Sequence, residues 1–215
     1  MRKVPTPSGP FPFQLYFEDL GEIDEICLEA LKRQSLLPSY PAPIRIERFV
    51  EKEFKTALRY EDLGPDNLGC TIFNSLGAVE AILVSRSLEE QNTTPARRRV
   101  RSTVAHEAGH GLLHGSLFTG ANFPDRGGNQ RRILCRSEDI LLDTQRSYRG
   151  RWWEFQANQA IGSLLLPRPL VNAFLEESGS SIQVPGERES LCKKVAAIFD
   201  VNPIVARIRL DALFP

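Results

Sequence analysis

This 215-residue sequence contains only three histidines and four cysteines. The cysteines lie tens of residues apart and form no CxxC pair, which argues against a thiolate zinc site and indicates ordinary reduced thiols. No run of eighteen apolar residues occurs, and the basic, proline-rich start lacks the apolar stretch of a signal peptide. We therefore expect a cytoplasmic protein without a membrane partner.

An excess of charge of one sign is also missing. Lysine plus arginine and aspartate plus glutamate number 27 each, so no overall field attracts the chain to nucleic acid. Hydrophobic residues make up 41% and charged residues 25%, which is typical of a soluble globular protein with a real core. The length predicts one domain, with room for a small appendage.

Hydrophobic periodicity predicts an α+β fold that is mainly helical, with a small sheet beside the histidine-bearing helix. The segments "LGCTIFNS" and "GAVEAILVSR" predict a β-hairpin that turns near residues 74–77. Thr94 followed by Pro95 predicts the start of the histidine-bearing helix. Further helices are expected from Asp19, across 46–54, 151–167 and 169–176, and as a final pair joined at 200–203. Residues 116–150 stay unassigned.

All three histidines lie in "VAHEAGHGLLHG", residues 104–115. On a helix, His106 and His110 project from one face about 6 Å apart along the axis and can bind one ion together. Glu107 completes the pattern HExxH, in which the carboxylate takes a proton from water. His114 lies about 12 Å along the axis from His106, at roughly 1.5 Å per residue, too far for both to bind one zinc ion.

The third protein ligand must therefore come from elsewhere. A third histidine in the pattern HExxHxxGxxH would fall at Ser116, so that alternative is excluded. Glu154 is the preferred ligand, because a carboxylate near the start of an apolar helix needs a partner. Weaker alternatives are Glu138, Asp139, Asp143 and the cysteines.

"RSTVAHEAGHGLLH" followed by "WWEFQANQAIGSLLLP" resembles the ImmA/IrrE family of metallo-endopeptidases, which pair an HExxH helix with a later ExxAN helix ending in LLxP. The likeness spans roughly residues 15–212, although the connection from His110 to Glu154 is long for the family. The resemblance implies zinc bound by His106, His110 and Glu154, with Glu107 as the catalytic base.

The resemblance also implies a domain plan and a substrate. Residues 1–14 are expected to form a proline-rich extended arm outside the core, 15–188 a zincin-like metallopeptidase domain, and 189–215 a helix pair packed on that domain. Members of the family are associated with cleaving helix-turn-helix transcriptional repressors. The predicted enzyme is thus a zinc metallo-endopeptidase with a repressor as its protein substrate.

Two questions stay open at this point. The partner of the developing oxyanion is predicted to be His114, with Tyr148 and the arginines of 126–151 as further candidates; packing or a charge at the helix C-terminus would explain His114 equally well. The alternative function is a non-catalytic zinc-containing or DNA-binding regulatory module that uses the C-terminal pair. A recognition helix presents polar and basic side chains to the bases, and this helix would present chiefly Arg207 and Arg209. Direct nucleic-acid binding is therefore disfavoured.

Overall fold

The computed structural model describes residues 2–5, 11, 13–119, 131–136, 151–179 and 187–215. These ranges hold eight α-helices and six strands, and the predicted mainly helical α+β fold is confirmed. The helices are α1 (Gly21–Arg33), α2 (Ile46–Phe54), α3 (Arg86–Glu89), α4 (Thr94–His114), α5 (Trp152–Leu165), α6 (Arg168–Ser178), α7 (Glu187–Phe199) and α8 (Pro203–Leu213). The strands are β1 (Arg2–Pro5), β2 (Phe13–Tyr16), β3 (Leu58–Glu61), β4 (Asn67–Phe73), β5 (Val79–Ser85) and β6 (Arg131–Arg136). None of these helices is long and apolar enough to cross a membrane.

The larger sheet has the strand order β3-β5-β4-β6. Its centre is the predicted hairpin, in which β4 and β5 pair antiparallel. The outer strands were not predicted: β3 pairs parallel with β5, and β6 pairs antiparallel with β4. Strand β3 is only four residues long and none of its side chains is fully buried, so it lacks the apolar run that identifies a strand in a sequence.

Helix α4 passes between this sheet and helix α5, in contact with both. The Thr93 side chain, rather than the predicted Thr94, caps the helix by accepting a hydrogen bond from the Ala96 amide at 3.3 Å. Thirteen of its residues are buried, including all three histidines. A helix covered on several sides can carry buried polar groups only if each finds a partner, so its neighbours must supply them.

The N-terminal segment, expected to lie outside the core, contributes to it. Strands β1 and β2 form an antiparallel pair, with Pro5 opposite Phe13. Phe11 is 6% exposed and packs edge-on against Phe118 and Trp152. Pro5 lies in β1, so proline there does not prevent pairing at the edge of a two-stranded sheet. The expectation of an arm apart from the core is therefore wrong for Phe11.

The C-terminal helices α7 and α8 lie against the rest of the molecule. Their apolar side chains belong to the main core together with those of α1, α2, α4 and α5. Arg98 and Arg101 of α4 reach the turn between them: the Arg98 side chain pairs with the Asp200 carboxylate at 2.9 Å, and the Arg101 side chain donates to the Asp200 carbonyl at 2.9 Å. The pair is thus fixed to the helix that carries the histidines.

Candidate metal centre

The two histidines of the HExxH motif face one another on α4. Their Nε2 atoms lie 3.0 Å apart and their rings are nearly perpendicular, with centroids 4.7 Å apart. Both side chains are fully buried. The four-residue spacing brings His106 and His110 onto one face of the helix, as the sequence predicts.

Glu154, on the first turn of α5, completes the group. Its Oε2 atom lies 3.0 Å from His106 Nε2 and 3.5 Å from His110 Nε2. Helices α4 and α5 approach closely because Gly109 has no side chain: a Cβ atom there would lie 2.7 Å from the Ala160 Cβ and 3.2 Å from the Ala157 carbonyl oxygen. The small residues at this crossing therefore place the carboxylate beside the histidines.

These three side chains can bind a metal ion, since one ligand atom from each lies within 4.8 Å of the others. The ligand atoms of a tetrahedral zinc ion, with bonds of 2.0–2.1 Å, lie about 3.3 Å apart. The observed separations are 3.0, 3.0 and 3.5 Å. Imidazole and carboxylate groups are zinc ligands in proteins, so both the spacing and the chemistry of the donors fit.

The other ring nitrogen of each histidine has its own partner. His106 Nδ1 lies 2.9 Å from Asn158 Oδ1, and His110 Nδ1 lies 2.8 Å from His114 Nδ1. A partner at Nδ1 leaves the Nε2 lone pair free for a metal, which is how ligating histidines are usually oriented. Asn158 occurs in the ExxAN motif, so that motif supplies a ligand and the support for another ligand.

Burial and mutual attraction set the charges in the group. Burial alone would raise the pKa of Glu154 and lower that of His106. The attraction of Glu154 to His110 and its hydrogen-bonded contact with His106 prevail and lower the pKa of Glu154, and the contact with Glu154 raises the pKa of His106. For His110, burial prevails and lowers the pKa. The carboxylate is therefore ionised, as a metal ligand must be.

Glu107 lies on the side of α4 that faces the sheet. Its Oε2 atom accepts a hydrogen bond from the Thr71 hydroxyl of β4 at 2.5 Å, while Oε1 has no hydrogen-bond partner among the described residues. A Cβ atom at Gly69 would lie 2.5 Å from Oε1, so only glycine leaves space there. Burial raises the pKa of Glu107 to about 8. The carboxyl group is thus held through one oxygen, and burial favours its protonated form.

His114 is fully buried and lies outside the ligand group. Its Nδ1 contacts His110, and its Nε2 lies 3.0 Å from Gln156 Oε1. Burial lowers its pKa to about 3, which keeps the ring neutral. With both nitrogens engaged inside the protein, His114 has neither the access nor the positive charge to stabilise an oxyanion, and of the two interpretations the geometry favours packing behind the ligands.

The other residues named from the sequence are either outside the described part of the chain or outside the ligand group. Glu138, Asp139, Asp143 and Tyr148 fall outside the described residues, as does the side chain of Cys135 in β6. Cys27, Cys70 and Cys192 are buried, and none of them belongs to the ligand group. Sequence reasoning missed Gly69, Thr71 and Gln156, because nothing in their local patterns indicates contact with residues of α4. The "EFQAN" segment held the available signal, since polar residues at 154, 156 and 158 interrupt an apolar helix.

A comparison of the chain with known protein families finds no matching family, and a comparison with curated proteins finds no matching sequence.

Proposed function

We propose that this protein is a zinc-dependent endopeptidase of the ImmA/IrrE type, which hydrolyses a peptide bond in a helix-turn-helix transcriptional repressor. The observation that carries the proposal is the combination of a buried His-His-Glu group with the adjacent Glu107 carboxyl group. The choice of metal rests on the ligand chemistry. The repressor as substrate, and the family, rest on the resemblance of the two motifs.

His106, His110 and Glu154 would hold the ion. When bound, zinc would act as a Lewis acid on a water molecule and the scissile carbonyl, and its positive charge would lower the pKa of Glu107. Only three protein ligands meet among the described residues, and three protein ligands with a position left for water or substrate are typical of catalytic rather than structural zinc.

Glu107 moves the proton in this proposal. Thr71 holds Oε2 through a hydrogen bond, which orients the carboxylate and leaves Oε1 to take the proton from the attacking water. The same carboxyl group then donates that proton to the departing amine nitrogen, so the proton lost by water leaves with the product. Gly69 lets β4 lie close to Oε1 without the collision that a Cβ atom would cause.

The proposal is tested by Glu107→Gln, which keeps the shape of the side chain but removes its basicity. The substrates are a mixed peptide library and purified helix-turn-helix repressors, and mass spectrometry measures the cleavage rate. We expect that rate to fall by a factor of about 10²–10⁴. Zinc content should not change, because Glu107 is not a ligand. The matched control is Glu177→Gln on the exposed side of α6, which should cleave like the wild type. Cleavage at the wild-type rate by Glu107→Gln would contradict the assignment of the base.

A second candidate function is a non-catalytic metal-containing module. It is favoured by the complete burial of His106, Glu107 and His110, since structural metal sites are closed. Peptide cleavage by the wild type separates the two functions. With a structural site, zinc binding would raise thermal stability but the wild type would cleave no peptide.

DNA binding by the C-terminal pair is disfavoured further by the position of Arg209. It is 6% exposed and pairs with Asp24 at 2.8 Å, so it cannot contact bases. Of the two arginines considered for that role, only Arg207 is exposed.

A further inference from the structure

A chain of hydrogen bonds runs from the N-terminal strand β2 to the metal centre. It begins at the backbone carbonyl of Leu15, which accepts from Gln156 Nε2 at 2.6 Å. A carbonyl can only accept, so the amide nitrogen of Gln156 must face β2 and its Oε1 must face the opposite way. Oε1 lies 3.0 Å from His114 Nε2, which therefore carries a proton and donates it.

This fixes the tautomer of His114. The ring is fully buried, and the partners that it meets in the described part of the chain are His110, Gln156 and the Trp152 ring at 5.8 Å, none of them an acid. A buried imidazole without an acidic partner is neutral and has a single proton. With that proton on Nε2, the Nδ1 atom of His114 offers only a lone pair.

The tautomer of His110 follows from that of His114. Their Nδ1 atoms lie 2.8 Å apart, a hydrogen-bond distance that requires one proton between them. Since His114 Nδ1 has none, His110 Nδ1 must donate. The Nε2 atom of His110 is then unprotonated and faces His106 and Glu154 with a lone pair.

Asn158 does the same for the other ligand, because its Oδ1 atom can only accept and so takes the Nδ1 proton of His106 at 2.9 Å. Both ligating histidines thus present Nε2 to the same point, although their supports differ. The support of His106 is Asn158 of α5. The support of His110 runs through His114 and Gln156 to Leu15, and these last two residues are 141 positions apart in the sequence.

We infer that His114 is a positioning residue, which holds His110 in the metal-binding tautomer and is itself held by Gln156 and the Leu15 carbonyl of the N-terminal hairpin. The inference rests on the proposed zinc centre but not on peptide hydrolysis. Removing such a support lowers metal affinity by about 10–100-fold. The N-terminal segment therefore forms part of the metal site although it provides no ligand.

The tautomers are measured directly by ¹⁵N-histidine NMR of the full chain loaded with zinc. The protein has only three histidines. The signals that disappear from the spectrum of His114→Phe are those of the His114 ring. We expect two rings bound through Nε2 with the proton on Nδ1, and a neutral His114 with the proton on Nε2. A His114 ring with its proton on Nδ1, or a His110 ring bound through Nδ1, would overturn the inference.

Three variants separate positioning from packing. His114→Asn keeps an acceptor near the Nδ1 position, His114→Gln keeps only a donor near the Nε2 position, and His114→Phe keeps only the ring shape. Zinc affinity, measured by competition with a chromophoric chelator, should fall about 10–100-fold for His114→Phe and His114→Gln and stay within about threefold of wild type for His114→Asn. Equal losses in all three, or no loss in any, would overturn the inference.

Urea unfolding of each variant checks that the fold is retained. If His114→Phe does not fold, two other results decide the question. They are the ratio of the zinc affinities of His114→Asn and His114→Gln, and the tautomers measured in the wild type. The expected tautomers in a protein that cleaves no peptide would uphold the inference and overturn the proposed activity. Failure of the wild type to bind zinc would overturn both, and that failure would appear as zero metal content.

Discussion

Helix α5 carries a buried polar cluster at each end, and the two clusters are built in opposite ways. At its C-terminal end, opposite charges meet and donors face acceptors: Arg209 Nη1 pairs with Asp24 at 2.8 Å, Arg209 Nε donates to the Leu166 carbonyl at 3.0 Å, and the Ser163 hydroxyl donates to Asp24. At its N-terminal end, the Nε2 atoms of His106 and His110 and the Oε2 atom of Glu154 converge.

The difference distinguishes a cluster that joins helices from one that can bind an ion. In the Asp24–Arg209 cluster, the protein satisfies the carboxylate from its own donors. In the His-His-Glu cluster, the Nδ1 atoms are engaged elsewhere, so the two Nε2 atoms and Oε2 lie together with too few protons to make a hydrogen bond of each contact. Such an arrangement is costly when buried and is stabilised by a cation.

The largest expected effect follows from removing the carboxylate of the His-His-Glu cluster. Glu154→Gln should lower zinc affinity by about a thousandfold or more, roughly 4 kcal/mol, because loss of a ligand exceeds the 10–100-fold loss typical of a support. Stability of the metal-free protein should change by less than about 1 kcal/mol, since burying a carboxylate largely offsets its pairing. Chelator competition and urea unfolding measure the two quantities.

An unchanged zinc affinity in Glu154→Gln would show that another group is the ligand, and residues 138, 139 and 143 would then be tested in turn. Glu177→Gln serves again as the control with the same chemical change at an exposed position.

The matched change in the other cluster should reverse this pattern. Asp24→Asn leaves the buried Arg209 without its counter-charge and should lower the free energy of unfolding by about 3 kcal/mol. Zinc affinity should stay within about twofold of wild type, because the Asp24–Arg209 cluster holds the opposite end of α5. A tenfold loss of zinc affinity without loss of stability would contradict the separation of the two clusters.

Arg168→Gln is the control for Asp24→Asn. Arg168 also pairs with Asp24, at 3.4 Å, but its side chain is 51% exposed. Exposed pairs contribute little, so stability should change by no more than about 0.5 kcal/mol in urea unfolding.

Smaller effects than those of Glu154→Gln and Asp24→Asn are expected from two glycines, Gly109 where α4 meets α5 and Gly162 where α5 meets Arg209 of α8. Gly109→Ala places a Cβ atom 2.7 Å from the Ala160 Cβ, and the forced separation should cost about 1–3 kcal/mol and weaken zinc binding. Gly162→Ala places a Cβ atom 3.0 Å from the Arg209 Cδ, a less severe contact than that at Gly109, and the gain in helix propensity of about 1 kcal/mol should offset that contact. Equal zinc affinity in both variants would show that helix spacing does not position Glu154.

Much of the fold and half of the site followed from local patterns. The helical periods of α1, α2, α4 and α5 and the β4–β5 hairpin were predicted because each depends on residues close in sequence. Strands β3 and β6 were missed, because a short strand at a sheet edge is defined by the strand beside it rather than by its own composition. The choice of Glu154 from several carboxylates agreed with the geometry, but its reason, the contact made possible by Gly109, was not visible.

The sequence by itself determined the spacing of His106, Glu107 and His110, because the pitch of a helix is a local property of the backbone. It also excluded His114 from the ligand set by the same geometry. Only the tertiary structure decided what His114 contacts, which atom of each imidazole faces the ion, and that Leu15, Thr71 and Gly69 belong to the site. Those facts depend on hydrogen bonds and close approaches between segments tens to more than a hundred residues apart, and such contacts form only when the helices and strands pack together.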